Sequence, residues 1–162
     1  MIVSYSDKDV IVQNKPSIFL AGPTPRSLDV KSWRPQALQI LKELNFDGVV
    51  YVPEPEYPQE NFDYNTQVMW ERKGLKTATV IAFWIPRDLK TMPAFTTNVE
   101  FGYYIRDKKI LYGRPENSEK NRYLDWLYEY ETNLKPIYTL QDLMKNSMVL
   151  AQKKSKDHLC KE

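Results

Sequence analysis

The sequence predicts an α/β protein in which a five-stranded, mostly parallel sheet carries helices on both faces. Short apolar runs alternate along the chain with longer segments whose apolar residues recur at helical spacing, and this alternation is typical of such folds. Most of the runs end at Gly or Pro, which close regular structure. The run at residues 79–84 is apolar throughout, as expected for a central strand covered on both faces.

The strands are predicted from short runs of apolar and β-branched residues. The five predicted strands cover residues 17–21, 48–52, 79–84, 109–112 and 136–138. The N-terminal segment is polar-interrupted, and its two short apolar stretches, residues 2–5 and 10–12, fit an edge hairpin that turns at Asp7 and Lys8.

The helices are predicted from apolar residues at spacings of three and four. They cover residues 33–44, 65–76, 97–107, 118–131 and 139–152. Ser32 suits the N-cap of the first helix, and Pro35 suits its first turn, where a missing N–H costs little. Thr139 and Asp142 fit a capping box for the last helix, and Thr97 and Glu100 have the same spacing at the start of the third.

The length and the net charge of the chain limit the number of domains and the kinds of partner that it can have. The chain has 162 residues, about the length of one domain, so residues 1–162 are expected to form a single domain. Residues 1–16 are its N-terminal edge segment, and residues 153–162 are expected to form a frayed basic tail. The net charge is +2, and residues 151–162 account for all of it. The remainder is neutral, which argues against a nucleic-acid partner.

The single Cys and the single His, Cys160 and His158, both lie in that tail. One Cys excludes an internal disulfide and a Cys-based zinc cluster, and one His excludes a multi-His metal site. No apolar run approaches the roughly 18 residues of a membrane span, and no secretory signal pattern is present. We therefore expect a soluble cytoplasmic protein whose chemistry uses carboxylates, Arg, Lys, hydroxyls, amides and aromatics.

Ligands of open parallel sheets bind beyond the carboxyl ends of the strands. The loops expected to bind a ligand are therefore residues 22–32, 53–64, 85–96 and 113–117. In the first loop Gly22 would let a ligand approach the backbone, and Arg26 and Arg34 could hold a phosphate or a carboxylate. The loop has neither a dinucleotide fingerprint nor a Walker pattern, so a stiff connector with solvated Arg is the alternative.

Two glutamates are candidates for chemistry. Glu100 follows the third strand, where a helix N-terminus favours its anionic form, and an anion so placed suits attack on a carbon that develops positive charge. The structural alternative is that Glu100 only closes the capping box. Glu71 lies on the second helix, and its structural alternative is a solvated surface carboxylate.

Six aromatic residues cluster near the predicted strand ends. Most of them are expected in the core, but one or two could stack on a nucleobase. They are Phe19, Trp33, Tyr57, Trp84, Phe95 and Phe101.

Several segments, in order, make the chain similar to one enzyme family. The segments are IFLAGPTPR at 18–26, SWRPQAL at 32–38, FDGVVYVPEP at 46–55, QVMWE at 67–71 with Gly74 and Leu75, VIAFWIPRD at 80–88 and TTNVEFG at 96–102. The chain resembles the nucleoside 2-deoxyribosyltransferase-like family over residues 17–138.

The resemblance implies a flavodoxin-like fold and chemistry at the N-glycosidic bond, without metal or cofactor. In the family a Glu followed by a hydrophobic residue and Gly is the nucleophile, which here is Glu100. It would attack C1′ of a nucleoside, expel the base and form a glycosyl-enzyme ester that a second base or water resolves.

The resemblance also implies binding roles. Glu71 stands where the transferases have an Asp that holds sugar hydroxyls. The transferases have another Asp in the loop before the nucleophile, where it helps protonate the leaving base. The corresponding loop here differs in length, and Asp88 is the residue in it that would take this role. Thr97 and Asn98 precede the nucleophile and would bind base or sugar. Gly22, Pro23 and Arg26 form the first loop, where related nucleotide hydrolases hold a 5′-phosphate.

Three functions remain open at this point. The first is a 2-deoxyribosyltransferase that acts on a nucleoside or nucleotide and a free nucleobase. The second is a nucleoside or nucleotide N-glycosidase that uses the same Glu100. The third is a nucleotide-binding sensor without turnover, which would be favoured if Glu100 were held in a capping box and Glu71 faced away from the cleft. By analogy with the family we expect a homo-oligomer.

Overall fold

The computed structural model describes residues 1–11, 14–27, 29–57 and 63–159, with the side chains of residues 158 and 159 left out. Of the basic tail expected at residues 153–162, residues 160–162 and the His158 side chain lie outside this description. The strands are β1 Ile2–Tyr5, β2 Ser17–Ala21, β3 Val49–Val52, β4 Val80–Trp84 and β5 Ile110–Gly113. These five strands of the described residues form one parallel sheet in the order β1-β3-β2-β4-β5.

This sheet and its helices confirm the predicted α/β, flavodoxin-like fold. The helices are α1 Arg34–Glu43, α2 Tyr64–Thr77, α3 Phe95–Tyr104, α4 Arg122–Thr132 and α5 Leu140–Leu159. Pro35 lies in the first turn of α1, as expected. The N-cap residue of α1 is Trp33, while Ser32 Oγ accepts a hydrogen bond from the Arg34 N–H at 3.2 Å.

The two edges of the sheet differ from the sequence prediction. β1 pairs in parallel with β3, with Ile2 opposite Val49, and Val10 and Ile11 belong to no strand, so the predicted hairpin of residues 2–5 with 10–12 does not form within the described residues; Val12 lies outside them. Residues 136–138 form only a bridge from Ile137 to Gly113 instead of a fifth strand. α5 continues to Leu159, past residue 153, where fraying was expected.

The strands alternate their side chains between two hydrophobic layers. Phe19, Ile81 and Phe83 point into the layer beneath α2, α3 and α4. Ile18, Leu20 and Ala82 point into the layer beneath α1 and α5. β2 and β4 are fully buried because both faces are covered, which explains why their sequences are apolar except for Ser17 at the start of β2.

The connections reverse direction between β2 and β4. From β2 the chain passes through α1 to β3 on one side, and from β4 it passes through α3 to β5 on the other. The two loops therefore diverge and leave a crevice at the carboxyl ends of β2 and β4, as the rule for such sheets predicts. This topology positions the candidate site.

Candidate active site

A cleft of about 270 Å³ occupies this crevice. It is bordered by the loops after β2, β3 and β4 and by the first turns of α2 and α3. Its principal polar lining residues are Thr24, Arg26, Arg34, Tyr64, Gln67, Glu71, Thr96, Thr97 and Glu100. Among the residues that the structure describes, no three His, Cys, Asp or Glu side chains are grouped to hold a metal ion.

Glu100 reaches the cleft because α3 begins earlier than the sequence suggested. The helix starts at Phe95, and its N-cap residue, Ala94, has left-handed backbone angles of φ 61° and ψ 36° and no side-chain cap. The predicted capping box of Thr97 with Glu100 is therefore wrong. Thr97 is instead buried inside the first turn and lines the cleft, and Glu100 follows it in the next turn.

Glu71 lines the same cleft from α2. Gln67 lies one turn earlier and donates a hydrogen bond from Nε2 to Glu71 Oε1 at 3.0 Å. This contact orients the Glu71 carboxylate. Both glutamates and Gln67 are half-buried, so the cleft holds two carboxylates of limited solvation.

The surroundings disfavour the charged form of both glutamates. The pKa of Glu100 is raised to about 7, chiefly by burial and secondly by the negative charge of Glu71, while the positive charge of Arg34 opposes the shift. Burial also raises the pKa of Glu71, against the hydrogen bond from Gln67 and the charge of Arg34. The pKa values of both carboxyl groups are therefore raised above their ordinary range by the same partly desolvated cleft.

Arg34 is a structural residue as well as a source of positive charge. It is only 1% exposed, and Nη1 forms an ion pair with Glu54 at 2.5 Å. Its Nε donates to the Leu20 carbonyl at 3.1 Å and its Nη2 to the Gly22 carbonyl at 2.7 Å. The guanidinium thus fixes the loop after β2, and these contacts leave it poorly placed for the ligand-holding role considered above.

Gly22 is required where the first loop leaves the sheet. Its φ is 149°, and a Cβ there would lie 2.1 Å from the carbonyl oxygen of Trp84. The missing side chain lets the end of β2 pass close to the end of β4. Gly22 and Pro23 both line the cleft, and Trp33 Nε1 donates to the Pro23 carbonyl at 3.1 Å.

Arg26 lies at the mouth of the cleft and is exposed. Its backbone N–H donates to the Thr91 carbonyl at 3.0 Å, which ties the first loop to the loop after β4. Its guanidinium lies 5.5 Å from the ring centre of Phe95, another cleft residue. Arg26 has no ion-pair partner within the described ranges, so its charge is available to an anionic ligand.

Two predicted residues do not line the cleft. Asp88 Oδ1 accepts hydrogen bonds from the backbone N–H groups of Lys90 and Thr91, at 3.0 and 2.8 Å, and these contacts hold the pKa of Asp88 below its usual range. Asn98 Oδ1 accepts a hydrogen bond from Arg87. In the structure Asp88 thus stabilises a turn in the loop after β4, and Asn98 links α3 to that loop.

Sequence reasoning missed Tyr64, Gln67 and Thr96. Tyr64 and Gln67 share the helical face of Glu71, so the spacing of three and four could have found them once Glu71 was chosen. Thr96 became visible only with the early start of α3. Of the aromatic candidates, Phe19 and Phe95 line the cleft, while Trp33, Trp84 and Phe101 are buried in the core.

The fold and the cleft define an α/β protein that places two coupled carboxylates at its strand ends. A family model described as nucleoside 2-deoxyribosyltransferase like matches residues 15–117. The chain belongs to the nucleoside 2-deoxyribosyltransferase-like family, and the matched range includes every residue that lines the cleft. A search of curated proteins finds no match to the chain.

Family membership confirms the resemblance seen in the sequence. At the level of the family it indicates nucleoside-related glycosyl transfer and small-molecule nucleoside or nucleobase substrates. No helix in the described part of the chain has both the length and the apolar character needed to cross a membrane.

Proposed function

We propose that this protein exchanges the nucleobase at C1′ of a 2-deoxynucleoside, with Glu100 as the nucleophile. The observation that carries the proposal is the position of Glu100, which faces the strand-end cleft beside Glu71 instead of closing a capping box. A reacting sugar carbon with developing positive charge is stabilised by such an anion in a partly desolvated site.

The reaction has two displacements. A carboxylate oxygen of Glu100 bonds to C1′ while the C1′–N bond breaks, and its electron pair leaves with the base, which takes up a proton from water. A nitrogen of a second base then bonds to C1′, the ester bond to Glu100 breaks, and the incoming base releases a proton. Two inversions retain the configuration at C1′.

The other cleft residues bind the substrate in this proposal. Glu71, oriented by Gln67, accepts hydrogen bonds from sugar hydroxyls, and Thr97 lies on the same side as Glu100. Asp88 was predicted to protonate the leaving base, but its place in a surface turn gives no support for that role, and we assign it no step.

Chromatography of products from deoxyinosine and free adenine tests the proposal. Wild type is expected to form deoxyadenosine, and Glu100→Gln is expected to lower the rate by at least about 10³-fold because the nucleophile is lost. Glu43→Gln is the matched control, since Glu43 is an exposed helical glutamate outside the cleft. Exchange that survives in Glu100→Gln would overturn the assignment of the nucleophile.

A nucleotide N-glycosidase is the second candidate, and the available charge of Arg26 at the cleft mouth favours it. A parallel incubation with a deoxynucleoside monophosphate would release free base and sugar phosphate if water is the acceptor. Arg26→Gln should then raise KM for the monophosphate and leave KM for the nucleoside unchanged.

Neither of the two arrangements that would favour a nucleotide-binding sensor is present at the cleft. Glu100 is not held in a capping box, and Glu71 lines the cleft instead of facing away.

A further inference from the structure

An aromatic stripe runs along the outer face of α4 and takes no part in the cleft. It consists of Tyr123, Trp126 and Tyr130, which are 68%, 56% and 69% exposed. Their spacing of three and four puts them on one face of the helix. The rings stack on one another, Tyr123 on Trp126 with centres 5.9 Å apart and Trp126 on Tyr130 with centres 5.1 Å apart.

The core does not need these rings. α4 packs against the sheet through Leu124 and Tyr128, both buried, on its opposite face. On the other side of the sheet, α5 exposes Val149 as its large apolar residue within the described ranges, and α1 exposes none. On the same side of the sheet, α3 also exposes Phe95, Val99 and Tyr103. The three rings of α4 differ because they stack on one another as one continuous aromatic surface, which marks an interaction surface.

We propose that the aromatic stripe is a homodimer interface, in which α4 packs antiparallel against α4 of a second copy. Charge complementarity favours a second copy over another partner. Arg122 and Glu129 are exposed, lie about two turns apart beside Trp126, and have no ion-pair partner in the described part of the chain. In a two-fold antiparallel pair, Arg122 of each copy lies beside the partner's Glu129.

The other charged side chains of α4 are already used within the chain. Asp125 forms an ion pair with Arg114 at 2.7 Å, and Glu131 forms one with Arg106 at 3.1 Å. Arg122 and Glu129 remain without a partner in the described part of the chain. One is basic and lies near the start of the helix, and the other is acidic and lies near its end. A self-complementary interface requires this arrangement.

The area of the aromatic stripe limits the affinity of one copy for the other. A buried aromatic side chain covers roughly 150–250 Å², so three rings that are more than half exposed offer roughly 300–450 Å² on each copy. The total area that two copies would bury is at or below the low end of the range for stable protein–protein interfaces. The dimer is therefore reversible, with dissociation expected in the micromolar range, and the small net charge of +2 opposes it little.

Sedimentation velocity over a hundredfold range of protein concentration measures the assembly. The mass is expected to rise from 19.2 kDa towards twice that value. Iodide quenching gives a second readout, because Trp126 is exposed while Trp33, Trp70 and Trp84 are buried. Protection of Trp126 from iodide should increase with concentration in step with the mass.

Charge variants test the antiparallel geometry. Arg122→Glu is expected to weaken the dimer about tenfold or more, because two negative charges then face each other, and Arg122→Glu combined with Glu129→Arg is expected to restore it. Both changes suit the helix dipole, so folding is not at risk. Failure of the double variant to restore assembly would overturn the antiparallel pairing.

Aromatic variants test the surface itself. Tyr130→Ser is expected to weaken the dimer, and Tyr57→Ser is the matched control, since Tyr57 is 70% exposed in a loop and Tyr130 is 69% exposed. A wild type that stays at 19.2 kDa throughout, or an assembly that Tyr130→Ser leaves unchanged, would overturn the proposal. No substrate is present in these experiments, so their outcome is independent of the proposed reaction.

Discussion

Glu100 and Glu71 place two carboxyl groups in one cleft, and the negative charge of Glu71 makes Glu100 harder to ionise. Burial dominates the raised pKa of Glu100, and the charge of Glu71 adds to it. A nucleophilic carboxylate must be ionised, so the proposed reaction should run only in the fraction of molecules that have lost the Glu100 proton. The titration of this residue therefore controls the rate.

We expect kcat/KM for base exchange to rise with pH through a midpoint near the Glu100 pKa of about 7. Glu71→Gln removes the neighbouring negative charge, so ionisation of Glu100 becomes easier and the midpoint moves to lower pH. The sign follows because a like charge disfavours the anion. Initial rates at subsaturating substrate, measured from about pH 5 to about pH 9, report the midpoint.

The matched control is Glu43→Gln, which removes an exposed helical carboxylate outside the cleft and should leave the midpoint where it is in wild type. A rate that falls as pH rises through neutrality would mean that Glu100 acts while protonated. That result would replace the nucleophilic role with a proton-donating one.

Single residues were predictable from the sequence where their type and order were distinctive. The sequence predicts Glu100, Glu71 and Arg26 as site residues, and all three line the cleft. Asp88 is predicted to help protonate the leaving base because it is the carboxylate in the loop after the third predicted strand. Its hydrogen bonds to Lys90 and Thr91 depend on how that loop folds, which the spacing of residues does not determine.

At the scale of elements, the C-terminal end of α2 depends on a side chain from the next strand connection. Lys109, just before β5, donates from Nζ to the carbonyls of Leu75 at 2.8 Å, Lys76 at 3.3 Å and Ala78 at 3.3 Å. These carbonyls have no partner within the last turn of the helix. Burial lowers the pKa of Lys109, so the hydrogen bonds also compensate a desolvated charge.

Lys109→Met should destabilise the protein by about 1–2 kcal/mol, because carbonyl groups at the helix end lose a charged donor. Urea unfolding followed by circular dichroism measures the change in the free energy of unfolding. Lys73→Met, an exposed lysine on α2 itself, should change it by less than about 0.5 kcal/mol. Equal stability of the two variants would show that water satisfies the α2 carbonyls without Lys109.

Elements buried on both faces were the most predictable. The nearly continuous apolar sequences of β2 and β4 predict these strands, whereas the sequence predicts the start of α3 two residues too late. The left-handed conformation of Ala94, which lets α3 begin at Phe95, is held by tertiary packing and has no local sequence signal. The edge partners of the sheet were misplaced for a similar reason, since short strands pair according to what the rest of the sheet leaves open.

At the scale of the whole molecule, two of the strand-end loops that border the cleft are fixed to each other by one buried side chain. Arg34 joins them, since its guanidinium donates to the Leu20 carbonyl in β2, to the Gly22 carbonyl in the loop after β2 and to the Glu54 carboxylate in the loop after β3. The Arg34 and Glu54 side chains are 1% and 17% exposed, so each ion compensates the burial of the other. The pair couples two loops that are distant in sequence.

Removing one member of this pair should therefore cost more than removing both. Arg34→Met alone is expected to destabilise the protein by about 3–5 kcal/mol, because Glu54 is left partly buried without a counter-charge. Adding Glu54→Gln should recover part of that loss, with a coupling energy of about 1–3 kcal/mol in a double-mutant cycle. Urea unfolding of wild type, both single variants and the double variant gives this energy.

A surface pair provides the comparison for that cycle. Arg106 and Glu131 form an ion pair at 3.1 Å in which Arg106 is 80% exposed, so Arg106→Met with Glu131→Gln should show a coupling energy below about 1 kcal/mol. Equal coupling energies in the two cycles would mean that burial does not set the strength of the Arg34 contact. A larger value for Arg34 with Glu54 would support the view that one buried ion pair fixes the two loops bordering the cleft.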